Sequence, residues 1–528
     1  MDTSTPNRAF VIRTALIVAL GGFLMGFDAA VISGVIGFIQ VEFNLTSIQL
    51  GWAVSSLTLS STLAMVASGP LADRFGRKPM LFLAAILYAV SALASAIAPS
   101  FEFLVVARMI GGLGVGASLI IAPMYIAEIA PPSMRGQMVS FNQLNIVIGM
   151  SVAFFTNYVI LQLGDSSEPW ALSMGFAEHN WRWMLGLEVL PAILYFFGLF
   201  TVPHSPRWLI RMGRTEEALP IMKIAIGQVA AAQELSEVQQ SLLSDKDKER
   251  ASIRELLSPA LRFVLTIGIV IGVLQQITGI NSVFFYAPVI FEQSGIGTDA
   301  SFVQAIFVGL INLVFTVFAI LLIDRIGRKP LLTIGLIGIT FSMLLLSYGF
   351  SQATYTLGPE AANIVAESGI DIGPILGQTY NSDVAFKGAI EQTMGAEVAQ
   401  QYESDLLTDS ITMNPMLILI GILGFVASFA ISLGPVMWVL FSELFPMRIR
   451  GIAISFVGLI NSAVSFLVQL VFPWELDTLG SSVTFLIYGL FAAAGLVFVL
   501  TMVPETKGRS LEELERDLVR DPSPSRSS

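Results

Sequence analysis

Two charged residues stand where charge is expensive. Asp28 lies in the apolar run GFLMGFDAAVISG, and Arg108 in LVVARMIGGLG. A carboxylate in such a place can take up and release a proton. A nearby guanidinium favours its ionised form, and desolvation opposes it. The plainer alternative is a static ion pair that only fixes helix packing. A second set of residues is uncharged: Gln143, Gln275, Gln276, Asn281, Asn312 and Asn461 all lie within apolar stretches. An amide donates and accepts at once, so the array matches a neutral, hydroxyl-rich ligand without the desolvation cost of an ion. Amides can also glue helices together, which is the alternative for any one of them. The chain has two histidines and no cysteine, which excludes a thiolate nucleophile, a disulfide and a His/Cys metal cluster. No catalytic constellation appears, so no enzyme, cofactor or metal is expected. The run GGLGVG (111–116) does not fit the G-x-G-x-x-G nucleotide fingerprint and reads as small residues for close helix packing.

The elements that must position these residues are membrane spans. Of the 528 residues, 54% are hydrophobic and 13% charged, against about 25% charged in a soluble domain. Twelve stretches have the roughly 20 apolar residues a spanning helix needs: 10–36, 48–70, 79–98, 102–125, 138–162, 182–202, 262–290, 301–323, 330–350, 415–440, 451–472 and 482–503. The first follows Arg8 and Arg13 without an A-x-A cleavage site, and reads as a retained helix. With both termini inside, 25 of the 28 Lys/Arg face the cytoplasm, as the positive-inside rule requires. The acidic net charge of −11 argues against nucleic acid as a partner. It divides into +6 on the cytoplasmic segments and −17 on the remainder. By rise per residue, Asp28 and Arg108 then lie at one depth, ~10 Å below the outer surface, and are expected to pair.

The short loops repeat. GPLADRFGRKPML (69–81) matches LLIDRIGRKPLL (321–332), with Asp73 and Asp324 offset by 251. YIAEIAPPSMRG (125–136) matches LFSELFPMRIRG (440–451), with Glu128 and Arg135 offset from Glu443 and Arg450 by 315. The excess of 64 equals the length of the polar stretch 351–414. The expected organisation is an N-terminal six-helix half (1–202), a cytoplasmic linker with short helices (203–261), a C-terminal half (262–503) carrying an outer insertion, and a tail (504–528). Such repeats commonly place a substrate site between halves near mid-membrane. Thr215 with Glu216 and Glu217 marks a helix start in the linker. In the insertion, Ile390, Met394, Val398, Tyr402 and Leu406 recur every four residues, which predicts one helix face in a small outer cap. The end after Pro522 is expected to be disordered. Gly434 and Pro435 are expected to break the tenth span, and Gly279 the seventh.

The paired D-R-x-G-R-K loops resemble the signature of the major facilitator superfamily, an all-α polytopic fold. GFDAAVISG (26–34), PHSPRWL (203–209), QQITGIN (275–281), GPVMWVLFSELFP (434–446) and PETKG (504–508) narrow the resemblance to its sugar porter family, over the chain except 351–414. The resemblance implies a monosaccharide transporter working by alternating access in the cell membrane. Its ligands are a neutral hexose, pentose or polyol and a proton, and its surroundings are the lipid bilayer; a monomer suffices. It implies sugar contacts at Gln143, Gln275, Gln276, Asn281, Asn312 and Trp438, with Asn461 joining them as an interior amide. Phe285 and Tyr286 read as an outer gate. Asp73, Arg77, Glu128, Arg135, Asp324, Arg328, Glu443, Arg450 and Glu505 read as a cytoplasmic gate network clasping the halves. An acid at Asp28 looks like the proton-coupled members, with Arg108 tuning it. The alternatives are a facilitative uniporter of the same family and a non-transporting sugar receptor. Three positions depart from the pattern: His204 replaces a Glu, Ser462 an aromatic residue, and Met150 stands where symporters can have Gln.

Overall fold

The computed structural model describes residues 7–131, 133–245, 253–366, 369–446, 448–509 and 511–518. The expected disorder after Pro522 lies outside them. In hydrocarbon every backbone group must be satisfied within its own segment, so apolar runs of this length become helices. Among the described residues twelve helices are long and apolar enough to cross a membrane: Arg8–Gly34, Ser47–Phe75, Arg77–Ala96, Phe101–Ile129, Arg135–Gly164, Asn180–Phe200, Pro259–Glu292, Gly297–Ile326, Arg328–Ser351, Pro415–Leu444, Arg450–Leu479 and Ser481–Met502. They are numbered below as the first to twelfth spans. Several run past the expected ends: the second continues through Asp73 and Arg74, and the eleventh through Trp474 to Leu479. Charged and amphipathic side chains at helix ends reach the interface without breaking the helix.

Two compact units form, one of residues 1–35 with 55–250 and the other of 36–54 with 251–528. The second span therefore contributes its first turns to one unit and its remainder to the other. In the first unit the linker helices Thr215–Ile226 and Gln228–Asp245 bury Ala218, Met222, Ala225, Ala231 and Val238 in a core shared with Tyr125, Met138 and Trp208. Glu216 and Glu217 occupy the first turn of the helix starting at Thr215, as expected.

The insertion between the ninth and tenth spans has a core of its own, built on Tyr355, Phe386, Ile390, Met394, Leu406 and Leu407. The expected single helix face is split. Asp383–Met394 and Ala396–Ser410 are separate helices, parted at Gly395 with φ +79°. The face itself survives, since Val398 and Tyr402 also pack on that core. A three-stranded antiparallel sheet joins them: β1 (Thr354–Thr356) lies between β2 (Thr379–Tyr380) and β3 (Ile411–Thr412). Tyr355 stands opposite Tyr380 on one side and Ile411 on the other.

Among the described residues the sixth span divides into Asn180–Gly186 and Val189–Phe200 at Leu187–Glu188, and the seventh and tenth are interrupted by non-helical backbone. The seventh divides into Arg262–Ile277 and Ile280–Glu292 at Gly279, whose φ is +89°. A Cβ there would lie 2.4 Å from the Tyr488 ring. Gly279→Ala is therefore expected to destabilise the protein by about 1–3 kcal/mol, read as a lower unfolding midpoint in detergent. The tenth span breaks at Ser432 (φ −126°, ψ −98°) and not at Gly434–Pro435 as expected. The physical reason is that a proline ring clashes with the carbonyl four residues earlier. Pro435 thus disrupts the turn at Ile431–Ser432 while itself lying in the helix Leu433–Leu444.

Candidate functional site

In the first unit Asp28 and Arg108 meet as their depths predict. Both are buried, and Arg108 Nη1 bonds Asp28 Oδ1. Arg108 Nη2 also donates to the Asp28 backbone carbonyl, at 3.2 Å. Glycine makes the approach possible: a Cβ on Gly111 would lie 2.9 Å from Asp28 Oδ2 and 2.5 Å from Ser91 Oγ. The rest of GGLGVG is packing surface. A Cβ at Gly112 would meet Ser60 Oγ at 2.0 Å, and one at Gly116 the Ser61 carbonyl at 2.2 Å.

A third charge was not anticipated. Glu188, in the sixth span, is 2% exposed and interacts electrostatically with both Asp28 and Arg108. Asp28 Oδ2, Arg108 Nε and Glu188 Oε1 are buried without a hydrogen-bond partner among the described residues. One guanidinium neutralises one carboxylate. Two buried carboxylates against one arginine leave an unbalanced negative charge unless the cluster holds a proton.

The second unit gathers the amides. Gln275 Nε2 donates to the Leu433 carbonyl at 3.1 Å, beside the break in the tenth span. Gln276 Nε2 donates to Gln275 Oε1 at 3.2 Å and to Asn461 Oδ1 at 3.3 Å. Asn461 Nδ2 donates to the Gly272 carbonyl and to Gln275 Oε1, each at 2.8 Å. Asn281 Nδ2 donates to Gln276 Oε1 at 2.7 Å and to Ser465 Oγ at 2.6 Å. Gln469 extends the chain, donating to Ser465 Oγ at 2.8 Å. The Trp438 indole is exposed and lies 3.8 Å from where a Gly458 Cβ would be, one turn from Asn461. Asn312 is buried in the eighth span, while Gln143 belongs to the first unit and is exposed there. Phe285 and Tyr286 are buried. Tyr286 has non-helical φ/ψ two residues before Pro288, and its hydroxyl donates to the Gln469 carbonyl at 3.0 Å.

The loop charges form one bracket in each unit. In the first, Arg77 bonds Glu128 at 2.8 Å and Asp73 at 3.1 Å. In the second, Arg328 bonds Glu443 at 2.7 Å and Asp324 at 3.1 Å. Arg135 reaches Glu234 at 3.9 Å, and Arg450 donates to the Phe445 carbonyl at 3.1 Å. Thr506 donates to Glu443 at 2.6 Å, and Ser205 to Glu128 in the matching place. The match then fails. Glu505 accepts from the backbone N–H groups of Arg328 and Lys329, each at 3.1 Å, capping the ninth span. His204 holds the corresponding position in the first unit, where among the described residues no carboxylate accepts from the backbone N–H groups of Arg77 and Lys78 as Glu505 does in the second. The His204 ring stacks on Trp208 with centroids 5.8 Å apart, and its Nδ1 is buried without a hydrogen-bond partner among the described residues. Burial, then Lys78 and Arg214, hold its imidazole below the usual range against the opposing pull of Glu217. His204→Glu is expected to restore the cap and stabilise the protein by about 1 kcal/mol, seen as a raised unfolding midpoint. His204→Gln, which lacks the charge, should give less.

The sequence matches the family described as "Sugar (and other) transporter" over residues 14–370 and 390–518. The match runs into the insertion and skips only 371–389 between its two parts, less than the 351–414 expected. The chain is 35% identical to the arabinose-proton symporter of Bacillus subtilis (strain 168), covering 97% of this chain and 96% of the relative. It is 34% identical to the D-xylose-proton symporter of Escherichia coli (strain K12), over 96% of each. Among solved structures, the inward open conformation of the xylose transporter XylE from E. coli superposes with a TM-score of 0.73 at 31% identity. It covers 96% of this chain and all of that one.

Proposed function

The chain belongs to the sugar transporter family of the major facilitator superfamily, and on that premise we propose that it carries a monosaccharide across the cell membrane together with a proton, by alternating access. The observation that carries the coupling is the buried charge cluster: Asp28 bonds the cation Arg108, and a second buried carboxylate, Glu188, lies within electrostatic reach of both. Taking up one proton balances the triad, and releasing it to the other side unbalances it. The names of relatives that carry arabinose or xylose with a proton support the same reading.

Gln275, Gln276, Asn281 and Asn461 supply both donors and acceptors, already linked in a chain of bonds. A sugar hydroxyl exchanges for one of these bonds at little net cost, because each amide keeps a partner. Asn312 and Gln143 add further amides, and the Trp438 ring offers an apolar face to the C–H groups of a pyranose. Phe285 and Tyr286 act as the outer gate at the kink before Pro288. The brackets around Arg77 and Arg328 stiffen the inner loops that must part for release.

Uptake into proteoliposomes with an imposed proton gradient tests this. Labelled arabinose, xylose or glucose should accumulate, and the external bath should turn alkaline. Entry that stops at equilibrium, with no proton uptake, overturns the coupling. Competition by galactose, fructose and inositol ranks the sugars.

A further inference from the structure

The outer insertion is tied at two ends. At the first, Asp383 Oδ2 accepts from the backbone N–H of Ser481 at 2.8 Å, capping the twelfth span. Gly480 (φ +80°) brings the two together; a Cβ there would lie 2.6 Å from Asp383 Oδ1. One helical turn on, Lys387 is 13% exposed and sits 2.6 Å from Glu403 and 3.7 Å from Asp477 at the end of the eleventh span. Burial acts to discharge this ammonium, but Glu403 and then Asp477 outweigh it and hold it above the ordinary lysine range.

The other end is the start of the second span. Ser47 donates to Asp477 Oδ2, so Asp477 is shared between Lys387 and Ser47. Gln400 Nε2 donates to the Leu45 carbonyl at 3.0 Å. Asn44, at φ +48°, turns the chain just before that carbonyl, a conformation asparagine tolerates better than most residues. Close packing lies below: a Cβ on Gly51 would meet the Leu470 carbonyl at 2.0 Å, and Trp52 packs edge-on against Phe466 at 5.9 Å. Residues 36–54 accordingly belong to the same compact unit as the insertion, whereas the second span from Ser55 onward belongs to the other. Asp383 and Lys387 both fall in 371–389, which the family match skips.

We propose that the insertion is an outer strap: through Lys387–Asp477–Ser47 and Gln400–Leu45 it holds the start of the second span against the end of the eleventh, and must let go before the transporter opens outward. Lys387 is a positioning residue in this device, since it sets Asp477 and touches no substrate. The inference rests on the alternating-access reading above.

Two experiments test it on the reconstituted full chain. The chain lacks cysteine, so Ser47→Cys with Asp477→Cys gives a single oxidisable pair. Oxidation should cut sugar uptake at least tenfold, and reductant should restore it; uptake unchanged by a demonstrated disulfide overturns the strap. The second readout needs no transport, so it separates failure of the strap from failure of the transport reading. In Lys387→Met, amide hydrogen exchange over residues 43–54 should quicken severalfold while Ala396–Ser410 stays protected. Lys387→Arg should return most of the protection. Unchanged exchange over 43–54, or equal loosening of the insertion's own helices, overturns the proposal.

Discussion

Asp28→Asn should leave sugar exchange running and end accumulation. In the native cluster two buried carboxylates, Asp28 and Glu188, stand near one buried guanidinium among the described residues, that of Arg108. Replacing Asp28 by its amide leaves one carboxylate and one guanidinium, a balanced pair that needs no proton. The amide oxygen can still accept from Arg108, so the buried cation keeps a hydrogen bond. At one proton per sugar, a gradient of one pH unit supports about a tenfold accumulation, or about 1.4 kcal/mol. The variant should fall to a ratio of about one while counterflow persists. Accumulation undiminished in Asp28→Asn would move the proton to Glu188. Arg108→Ala should do far more damage, because two buried acids would then lack any cation, at about 3–5 kcal/mol.

The second large effect is expected at Asn461. Its side chain joins Gly272, Gln275 and Gln276. Asn461→Ala strips a donor from a buried carbonyl and from the amide next to the tenth-span break. A buried polar group left unpaired costs about 1–3 kcal/mol, so an interaction lost with sugar bound should raise the apparent KM about tenfold to a hundredfold. The informative comparison is KM against unfolding midpoint. A lowered midpoint with an unchanged KM would make Asn461 helix glue rather than a substrate contact.

Much of this architecture was legible beforehand, for a reason specific to membranes. Hydrocarbon penalises every unsatisfied polar group, so length and apolarity alone mark a span. The same penalty made Asp28 and Arg108 conspicuous, and rise per residue brought them to one depth. Glu188 obeyed that logic and was still missed. It is an acid within the apolar run MLGLEVLPAIL, and weighing every charge inside a span would have found it. Ser465 and Gln469 follow Asn461 at intervals of four, one helix face, and that spacing was the overlooked signal. The insertion's sheet carried no comparable signal, since its strands are two or three residues long. The break at Ser432 was displaced from the visible Gly434–Pro435 because proline acts on the preceding turn. The loop charges were legible as repeats, but the spacing did not say which acid takes which base: Glu128 and Glu443 take Arg77 and Arg328.

The charged triad lies in one compact unit and the linked amides in the other. On the proposed assignment, proton and sugar have no contact group in common, so the link between them would be a coupling free energy carried by conformation. Such coupling is reciprocal: whatever factor protonation adds to sugar affinity, sugar must add to proton affinity. A factor of about ten corresponds to one unit of displacement in the triad's apparent proton affinity. The protein can therefore be read from either end, by measuring sugar affinity against pH or proton uptake on adding sugar. The two must return the same number.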